Sequence, residues 1–334
     1  MFKHISRVLA ASILLSSATL GLAQAAEQEI NFGIISTESS QNLKTTWDPF
    51  LADMGAQTGL KINAFFAPDY AGIIQGMRFD KVDVAWYGNK AAMEAVDRAG
   101  GEIFAQTVAA NGAQGYYSLM VAHQDSPLNS IEDMLKNAKN LTFANGDPNS
   151  TSGYLVPGYY VFAQNNVDAN KIFKRALNGS HEVNALSVAN KQIDVGTFNS
   201  EGMERLQVTA PDKAAQLKVI WTSPLIPSDP MVWRKNLDDA SKNKVREFFM
   251  TYGDKPAEQK VLESLQWAKF KSSDDDQLLP IRQLDLFKKR TEVVNSDKLS
   301  DSDKQARLKA LDAELAKLAK RLAEISRKNP NSAG

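Results

Sequence analysis

Two short apolar segments, far apart in the chain, resemble each other and constrain the fold more than any other feature. Residues 81–88 (Lys-Val-Asp-Val-Ala-Trp-Tyr-Gly) and residues 192–198 (Gln-Ile-Asp-Val-Gly-Thr-Phe) each have the pattern of a short buried strand. Each follows a stretch with helical periodicity and is followed by small or aromatic residues. Such a pair is typical of two similar α/β lobes, in which we expect Asp83 and Asp194 to hold strand ends or cap neighbouring helices.

Strand and helix patterns alternate around both segments. The strand patterns lie at residues 29–35 and 60–66 in the first half and at 117–121 and 141–144 in the second, with helix patterns that run to Leu51 and over 130–135. Alternation of this kind predicts an α/β fold with parallel sheets and crossover helices.

The chain must also return from the second lobe to the first. We expect the strand pattern at 217–221 and the loop at 224–230 to make this return, which places two hinge crossings near residues 115–118 and 222–230. Two lobes with two crossings enclose a cleft. The predicted units are a first lobe of residues 26–116 and 230–300, a second lobe of residues 117–229, and a C-terminal helix and tail of residues 301–334.

The first 25 residues have the pattern of a cleavable signal peptide. Lys3 and Arg7 precede a mostly apolar stretch at 8–20, and Ala-Gln-Ala at 23–25 is a small-residue cleavage site. The stretch is short and rich in hydroxyl residues for a membrane anchor, which needs about 20 apolar residues. No cysteine follows it that could carry a lipid. We therefore expect a mature protein exported to the periplasm.

Composition excludes several classes of function. The 39 basic and 39 acidic residues balance, so no global charge attracts nucleic acid. The chain has no cysteine, which rules out disulfides, thiolate nucleophiles and metal sites that need cysteine. Beyond the leader, the histidines are His123 and His181, and no metal-binding spacing joins them. The sequence therefore predicts neither a metal site nor a cofactor.

The most informative local pattern spans residues 144–157. A strand ends there, turn-forming residues follow, and Ser150, Thr151 and Ser152 open an apolar helical run. Free backbone N–H groups and the positive helix end converge at such a position. Three hydroxyls add further donors, which together make a site for a tetrahedral oxyanion. Simple N-capping is the alternative reading, although one serine would be enough for it.

Four stretches, taken in order, resemble the phosphonate, phosphite and phosphate binding proteins of ABC importers, and the phosphonate binders most closely. They are residues 147–157, Gly179-Ser180-His181, the helix pattern leading to 193–195, and residues 223–230. The resemblance extends over the chain from the end of the leader to about residue 270. It implies a type II periplasmic binding fold that closes on a phosphonate like a hinged trap and delivers it to ABC permease subunits in the inner membrane.

The resemblance also implies individual ligand contacts. It places the oxyanion at the loop Ser150–Ser152 and His181 against the same oxyanion, with Tyr70 and Tyr117 closing over the ligand. Tyr116 is adjacent and stays an alternative to Tyr117 as the inward-facing ring. Without the resemblance, His181 would be read as a surface or capping residue, and the tyrosines as ordinary interface aromatics.

Two acidic residues refine the expected ligand. Glu201 follows a second-lobe strand and Asp229 lies in the Pro-rich hinge loop, so both can reach the mouth of the cleft. Carboxylates beside an anion site are unfavourable unless the ligand offers them a proton or a cation. A 2-aminoethylphosphonate-like ligand offers both. The alternative is that Glu201 caps the helix beginning at Gly202 and that Asp229 braces the hinge.

A periplasmic hydrolase of phosphonates or phosphate esters is the alternative function. It needs an activated nucleophile or a metal-bound water. Thr151 beside His181 is the nearest candidate pair, but no orienting group or metal set accompanies it. We therefore predict a binding protein without catalytic residues.

The C-terminal segment carries a narrow apolar stripe on a sequence rich in Ala, Lys, Glu and Arg. The pattern predicts a long helix over residues 302–327. A narrow stripe suits a partner helix, which suggests a homodimer, while docking on its own lobe is the alternative. The stripe follows spacings of 3, 4, 3, 4 and 3 and comprises Leu308, Leu311, Leu315, Leu318, Leu322 and Ile325.

Overall fold

The computed structural model describes residues 28–328 and contains two mixed β-sheets, each flanked by helices. The predicted signal peptide lies outside the described residues. None of the described helices is long and apolar enough to cross a membrane.

The helices and strands follow one another in the alternating order that the sequence predicts. The α-helices are α1 (Ser40–Thr58), α2 (Tyr70–Arg78), α3 (Asn89–Arg98), α4 (Ile131–Asn137), α5 (Ala169–Ile172), α6 (His181–Ala189), α7 (Ser200–Thr209), α8 (Pro211–Ala214), α9 (Asp239–Thr251), α10 (Pro256–Ser264), α11 (Leu279–Val294) and α12 (Asp301–Lys328). The strands are β1 (Glu29–Ile34), β2 (Lys61–Phe65), β3 (Val84–Trp86), β4 (Gly101–Gln106), β5 (Gly115–Tyr116), β6 (Ser118–His123), β7 (Thr142–Gly146), β8 (Arg175–Gly179), β9 (Val195–Asn199), β10 (Leu217–Thr222), β11 (Ile226–Pro227), β12 (Pro230–Arg234) and β13 (Lys271–Ser272).

The first sheet has the order β13-β4-β12-β3-β1-β2 and the second the order β10-β6-β9-β7-β8. Strand β1 pairs parallel with β2 and β3, and β7 pairs parallel with β8 and β9. Strands β12 and β6 are antiparallel to their neighbours. The prediction of parallel sheets is therefore corrected to mixed sheets. Both antiparallel strands follow a crossing between the lobes, so they enter their sheet from the cleft edge.

Asp83 and Asp194 have the same role in the two sheets. Asp83 Oδ2 accepts the N–H of Asn31 at 2.7 Å, and Asp194 Oδ2 accepts the N–H of Thr142 at 2.7 Å. Each carboxylate thus joins the start of one parallel strand to its neighbour. This confirms that both aspartates hold strand ends, and it explains why the two segments look alike in sequence.

Helix α1 shows how the first core forms. Its buried side chains recur with helical spacing, and they include Trp47 and Phe50. Ser39 caps the helix by accepting the N–H of Asn42, and Gly59 ends it with a left-handed φ of 66°. Trp47 packs against Phe32 of β1 with ring centroids 5.4 Å apart. Helix α1 therefore lies on the sheet, with its N-terminus beside the carboxyl end of β1.

The second sheet is covered on both faces. Met120 and Ala122 of β6 join one apolar cluster, while Leu119 and Val121 join another. Successive residues of a strand point to opposite faces. Strand β6 is consequently buried between helices on both sides.

A two-stranded connection joins the lobes. Strands β5 and β11 pair antiparallel, with Tyr116 opposite Ile226 and Gly115 opposite Pro227. A Cβ at Gly115 would lie 2.0 Å from the backbone oxygen of Ile226, so only glycine fits there. The two chain crossings therefore touch each other at the hinge.

The C-terminal helix forms as predicted but packs within its own chain. Helix α12 lies against α11, and Arg290 Nε forms an ion pair with Asp312 at 2.8 Å. Arg321 Nε donates to Asp276 at 3.1 Å, which ties the far end of the helix down. The prediction of a homodimer through this stripe is not supported, because α12 packs against α11 of the same chain. The half-buried stripe consists of Leu308, Leu311, Leu315, Leu318, Leu322 and Ile325.

Candidate functional site

The cavity between the two sheets lies where parallel strands end and helices begin. On the first side, β1, β2 and β3 lead into α1, α2 and α3. On the second side, β7 leads into the π-helical turn Thr151–Leu155, and β8 and β9 lead into α6 and α7. Clefts at the carboxyl ends of parallel strands are preferred ligand sites, and helix N-termini there offer free N–H groups. The cavity has a volume of about 400 Å³.

The predicted hydroxyl loop is buried in the wall of this cavity. Ser150, Thr151 and Ser152 are 3%, 1% and 2% exposed. Ser150 Oγ accepts the N–H of Gly153 at 2.9 Å and so caps the π-helical turn. A Cβ at Gly153 would lie 2.9 Å from that Oγ, which makes glycine necessary there. Ser150 acts as the cap of this turn, so capping of the turn does not explain Thr151 and Ser152.

His181 lies beside this loop as the first residue of α6. Its Nε2 is 3.4 Å from both Ser150 Oγ and Ser152 Oγ. Its Nδ1 is buried and has no hydrogen-bond partner among the described residues. Burial, helped by the nearby charge of Arg205, lowers the pKa of His181 to about 4. The imidazole is therefore neutral at neutral pH.

The tyrosines that line the cavity are Tyr70 and Tyr116. The prediction of Tyr117 is corrected, because its ring is 40% exposed while that of Tyr116 is 5% exposed. Neighbouring residues in an extended chain point to opposite sides, so only one of the two can face inward. The backbone of Tyr117 is tied to Ser200, whose Oγ accepts the Tyr117 N–H at 3.0 Å. Burial raises the pKa of both Tyr70 and Tyr116, so both rings keep their hydroxyl protons.

Glu201 and Asp229 lie on the wall of the same cavity. Burial raises the pKa of Glu201 to about 7, against the opposing effect of Arg205. Burial and the charge of Glu201 raise the pKa of Asp229. Asp229 is 7% exposed, and its Oδ1 has no hydrogen-bond partner among the described residues. Arg205 near Glu201, and Tyr116 and Trp86 near Asp229, act to lower these pKa values, but burial outweighs them in both acids.

The local structure does not need Glu201 as a helix cap. Asn199 caps α7 through its Oδ1, which accepts the N–H of Gly202 at 2.6 Å. The carbonyl of Asp229 does brace the hinge, since it accepts the N–H of Thr107 at 2.9 Å. This contact uses the backbone of Asp229 and leaves its carboxylate free for another role.

The sequence does not single out several of the cavity residues, two of which end a strand. Trp86 ends β3, and its buried Nε1 has no hydrogen-bond partner in the described part of the chain. Asn199 ends β9 and donates to Ser152 Oγ at 3.4 Å. Their position at the end of a strand was the sequence signal that could have identified Trp86 and Asn199. Arg205 forms an ion pair with Glu38 of the other lobe, and Trp267 lines the first-lobe wall; no sequence pattern marked either.

The acids of the cavity do not form a metal site. Across residues 28–328, no three histidine, aspartate or glutamate side chains are grouped so that they could hold a metal ion. The cavity instead offers hydroxyls, a neutral imidazole, tyrosines and two carboxylates. Such groups can bind a small polar ligand through hydrogen bonds and charge.

The sequence of this chain is similar to those of known phosphonate-binding proteins. The family model that matches residues 32–278 is that of the periplasmic substrate-binding protein of a phosphonate ABC transporter. The phosphonates-binding periplasmic protein of Escherichia coli (strain K12) is 58% identical over 315 residues, which cover 94% of this chain and 93% of that protein.

Solved structures share the fold. The crystal structure of a binding protein component of an ABC phosphonate transporter from Pseudomonas aeruginosa has a TM-score of 0.89 at 72% identity, covering 90% of this chain and 99% of that chain. PhnD1 from Prochlorococcus marinus (MIT 9301), in complex with methylphosphonate, has a TM-score of 0.69 at 22% identity. That comparison covers 77% of this chain and 97% of the other, and it supports the fold alone.

Proposed function

This chain belongs to the periplasmic substrate-binding proteins of phosphonate ABC transporters, and we propose that its preferred ligand is an aminoalkylphosphonate resembling 2-aminoethylphosphonate. As a member of that family it binds phosphonate in the periplasm and works with the permease subunits of an ABC transporter. Membership confirms the predicted family, the type II periplasmic binding fold and a binding role instead of an enzymatic one.

The observation that carries the ligand proposal is that hydrogen-bond donors and two carboxylates line the same cavity. Ser150–Ser152 and neutral His181 supply donors for a tetrahedral oxyanion, together with the hydroxyl of Tyr70. Glu201 and Asp229 supply carboxylates. A ligand that carries a phosphonate and an ammonium group matches both kinds of side chain at once.

The charge of the two acids supports an ammonium partner. Buried carboxylates without a cation take up protons at higher pH than usual, which is the direction in which the pKa values of Glu201 and Asp229 are shifted. An ammonium group between them favours their charged forms and offsets the cost of their burial. A simple anion such as phosphate brings no cation to either acid, so the cost of charging them stays uncompensated.

The hydrolase alternative has little support in the geometry. It paired Thr151 with His181, but the hydroxyls nearest His181 Nε2 are those of Ser150 and Ser152. The Thr151 Oγ1 instead accepts the N–H of Lys90 at 2.8 Å. A base that faces serine hydroxyls at 3.4 Å, without an orienting group on its Nδ1, is poorly arranged to activate a nucleophile.

We further propose that the protein works by closure of two domains around the ligand. The domains are residues 26–116 with 230–300, and residues 117–229. The sheets support this division, since the first draws its strands from residues 29–106 and 230–272 and the second from residues 118–222. The ligand site receives side chains from both sheets, so a ligand favours the form in which the two approach.

Isosteric variants of the acids test the ligand proposal. Glu201→Gln and Asp229→Asn keep the shape of the side chain and remove its charge. Each should weaken binding of 2-aminoethylphosphonate by on the order of 1–3 kcal/mol, because a desolvated ammonium loses a charged partner. Binding of methylphosphonate should be weakened less or strengthened. Isothermal titration calorimetry with both ligands measures the difference.

Glu204→Gln is the matched control, because Glu204 lies on the same helix but is exposed. It should change both affinities much less than either cavity variant, because its charge is the smallest of the effects on Glu201. If Glu201→Gln and Asp229→Asn kept the wild-type ratio of the two affinities, the ammonium assignment would be wrong.

The proposal includes export by a leader. Residues 1–25 are proposed to be a signal peptide that is removed after Ala25. Intact mass and N-terminal sequencing of protein isolated from the periplasm should show a mature chain beginning at Ala26. A chain that keeps its first 25 residues would contradict this.

A further inference from the structure

Three helices of the first lobe begin at the cleft, and their first N–H groups need acceptors. The first N–H groups of an α-helix have no partner within the helix. Helix α3 is the clearest case, because its N-cap is Gly88, which has no side chain to accept a hydrogen bond. Helices α1 and α2 have local caps in Ser39 and Asp69, but each cap satisfies only one N–H group.

The acceptors come from the opposite lobe. Thr151 Oγ1 accepts the N–H of Lys90, the second residue of α3, at 2.8 Å. Asp147 Oδ2 accepts the N–H of Tyr70, the first residue of α2, at 3.2 Å.

Helix α1 receives the third contact. Glu182 Oε2 accepts the N–H of Ser39 at 2.7 Å, and Glu182 Oε1 accepts from the side chain of Asn42 at 2.5 Å. Each of the first three helices of the first lobe therefore donates to an oxygen of the second lobe at its N-terminus, and α1 does so through its N-cap residue Ser39. Two of the three acceptors are carboxylates, which the positive end of a helix favours.

We propose that Asp147, Thr151 and Glu182 are positioning residues that cap these helices only when the lobes are closed, and thereby convert closure into ligand affinity. The proposal rests on the proposed function. It assigns a role to Asp147 and Glu182, which are not among the ligand contacts proposed above. Separation of the lobes exposes the same N–H groups to water, so each cap favours the closed form.

Thr151 links this capping to the ligand. A hydroxyl has one proton to donate and two lone pairs to accept with. Because one lone pair takes the Lys90 N–H, the proton stays available for an oxyanion in the cavity. The hydrogen bond from the helix end also polarises the hydroxyl and strengthens it as a donor. Binding of an oxyanion by Thr151 and capping of helix α3 by the same hydroxyl therefore stabilise each other.

Glu182 lines the cavity, but its carboxylate is engaged by Ser39 and Asn42, so its substitution leaves the hydroxyl loop and His181 unchanged. Loss of a helix cap corresponds to a change of about three- to tenfold in an equilibrium constant. Glu182→Ala should weaken 2-aminoethylphosphonate and methylphosphonate by the same factor in that range, because closure serves both ligands alike. This uniform loss distinguishes a closure contact from a ligand contact.

The control is Glu132→Ala. Glu132 and Glu182 are both the second residue of a second-lobe helix that begins after a serine cap, but Glu132 lies on α4, away from the cleft. This variant should leave both affinities unchanged. It removes the same first-turn charge, and so it accounts for any effect on helix stability alone.

A double-mutant cycle identifies the contact itself. Asn42→Ala removes the side-chain partner of Glu182 in the first lobe and leaves the bond from the Ser39 N–H in place. The double variant should bind more tightly than the product of the two single losses predicts, because both substitutions remove one shared interaction. Additive losses, no loss in Glu182→Ala, or a loss confined to the aminated ligand would each overturn the proposal.

Inorganic phosphate, titrated in parallel, separates this proposal from the proposed function. A wild-type protein that binds phosphate and neither phosphonate contradicts the proposed function. In that case the phosphate affinities of Glu182→Ala and Glu132→Ala are compared instead. A loss in the first variant alone still supports closure by capping, and equal affinities overturn it.

Discussion

Burial holds His181 in its neutral form, and this makes the folded protein less stable at low pH. Its pKa in the folded protein is about 4, below the ordinary value of 6.5. The unfolded chain therefore binds a proton at this residue before the folded protein does. Stability from this group is complete above pH 6.5 and is lost as the pH falls from 6.5 towards 4.

The free energy of unfolding should accordingly fall by about 2 kcal/mol between pH 6.5 and pH 5 through His181 alone. His181→Gln removes the titrating group, so its unfolding free energy should depend less on pH in this range. Urea denaturation of both proteins at several pH values measures the difference. Equal pH slopes would show that His181 is not buried in a neutral form.

At the scale of residues, the sequence predicted the chemistry of the site better than its geometry. The hydroxyl loop was recognisable because a strand end, a turn cluster and three hydroxyls are adjacent in the chain. Tyr116 and Tyr117 could not be distinguished, because the direction of a ring in a two-residue strand depends on its pairing with β11. Arg205 was missed because its partners, Glu38 and Gln266, are distant in sequence.

At the scale of helices and strands, hydrophobic periodicity predicted the structure most reliably. The stripe of α12 was visible in the sequence, but the surface that covers it was not, since α11 and a dimer partner satisfy the same pattern. The π-helical turns at Thr151–Leu155 and Gly158–Phe162 were predicted only as a helical run. Periodicity cannot separate the two helix types over so few residues.

Packing of α12 on α11 predicts a moderate loss of stability when the stripe is truncated. Leu315 is half-buried, so Leu315→Ala should lower the free energy of unfolding by about 1 kcal/mol, below the 2–5 kcal/mol of a fully buried leucine. Glu314→Ala, at the exposed neighbouring position, should change it little. Phosphonate affinity should be the same in both variants. A Leu315→Ala protein as stable as Glu314→Ala would contradict this packing.

On the scale of the whole molecule, two lobes with a cleft followed from the repeated segments and the two chain crossings. The mixed strand directions of the sheets could not be predicted from the sequence. They depend on the side from which β6 and β12 enter their sheets. Contacts from both lobes surround the cavity, so ligand binding should change the overall dimensions.

Small-angle X-ray scattering should therefore show a smaller radius of gyration with saturating 2-aminoethylphosphonate than without ligand. The ligand bridges groups of both lobes and shifts the population towards the closed form. Sulfate at the same concentration controls for ionic strength. Equal dimensions with and without bound ligand would argue against a hinged trap.

The central claim is that one cavity holds an oxyanion at the hydroxyl loop and an ammonium group at Glu201 and Asp229. Calorimetric titration of the wild-type protein with 2-aminoethylphosphonate, methylphosphonate, phosphate and sulfate at one pH tests it most directly. We predict that 2-aminoethylphosphonate binds tightest, that methylphosphonate is weaker for lack of the ammonium group, and that phosphate and sulfate are weakest. Methylphosphonate or phosphate binding as tightly as 2-aminoethylphosphonate would contradict the account.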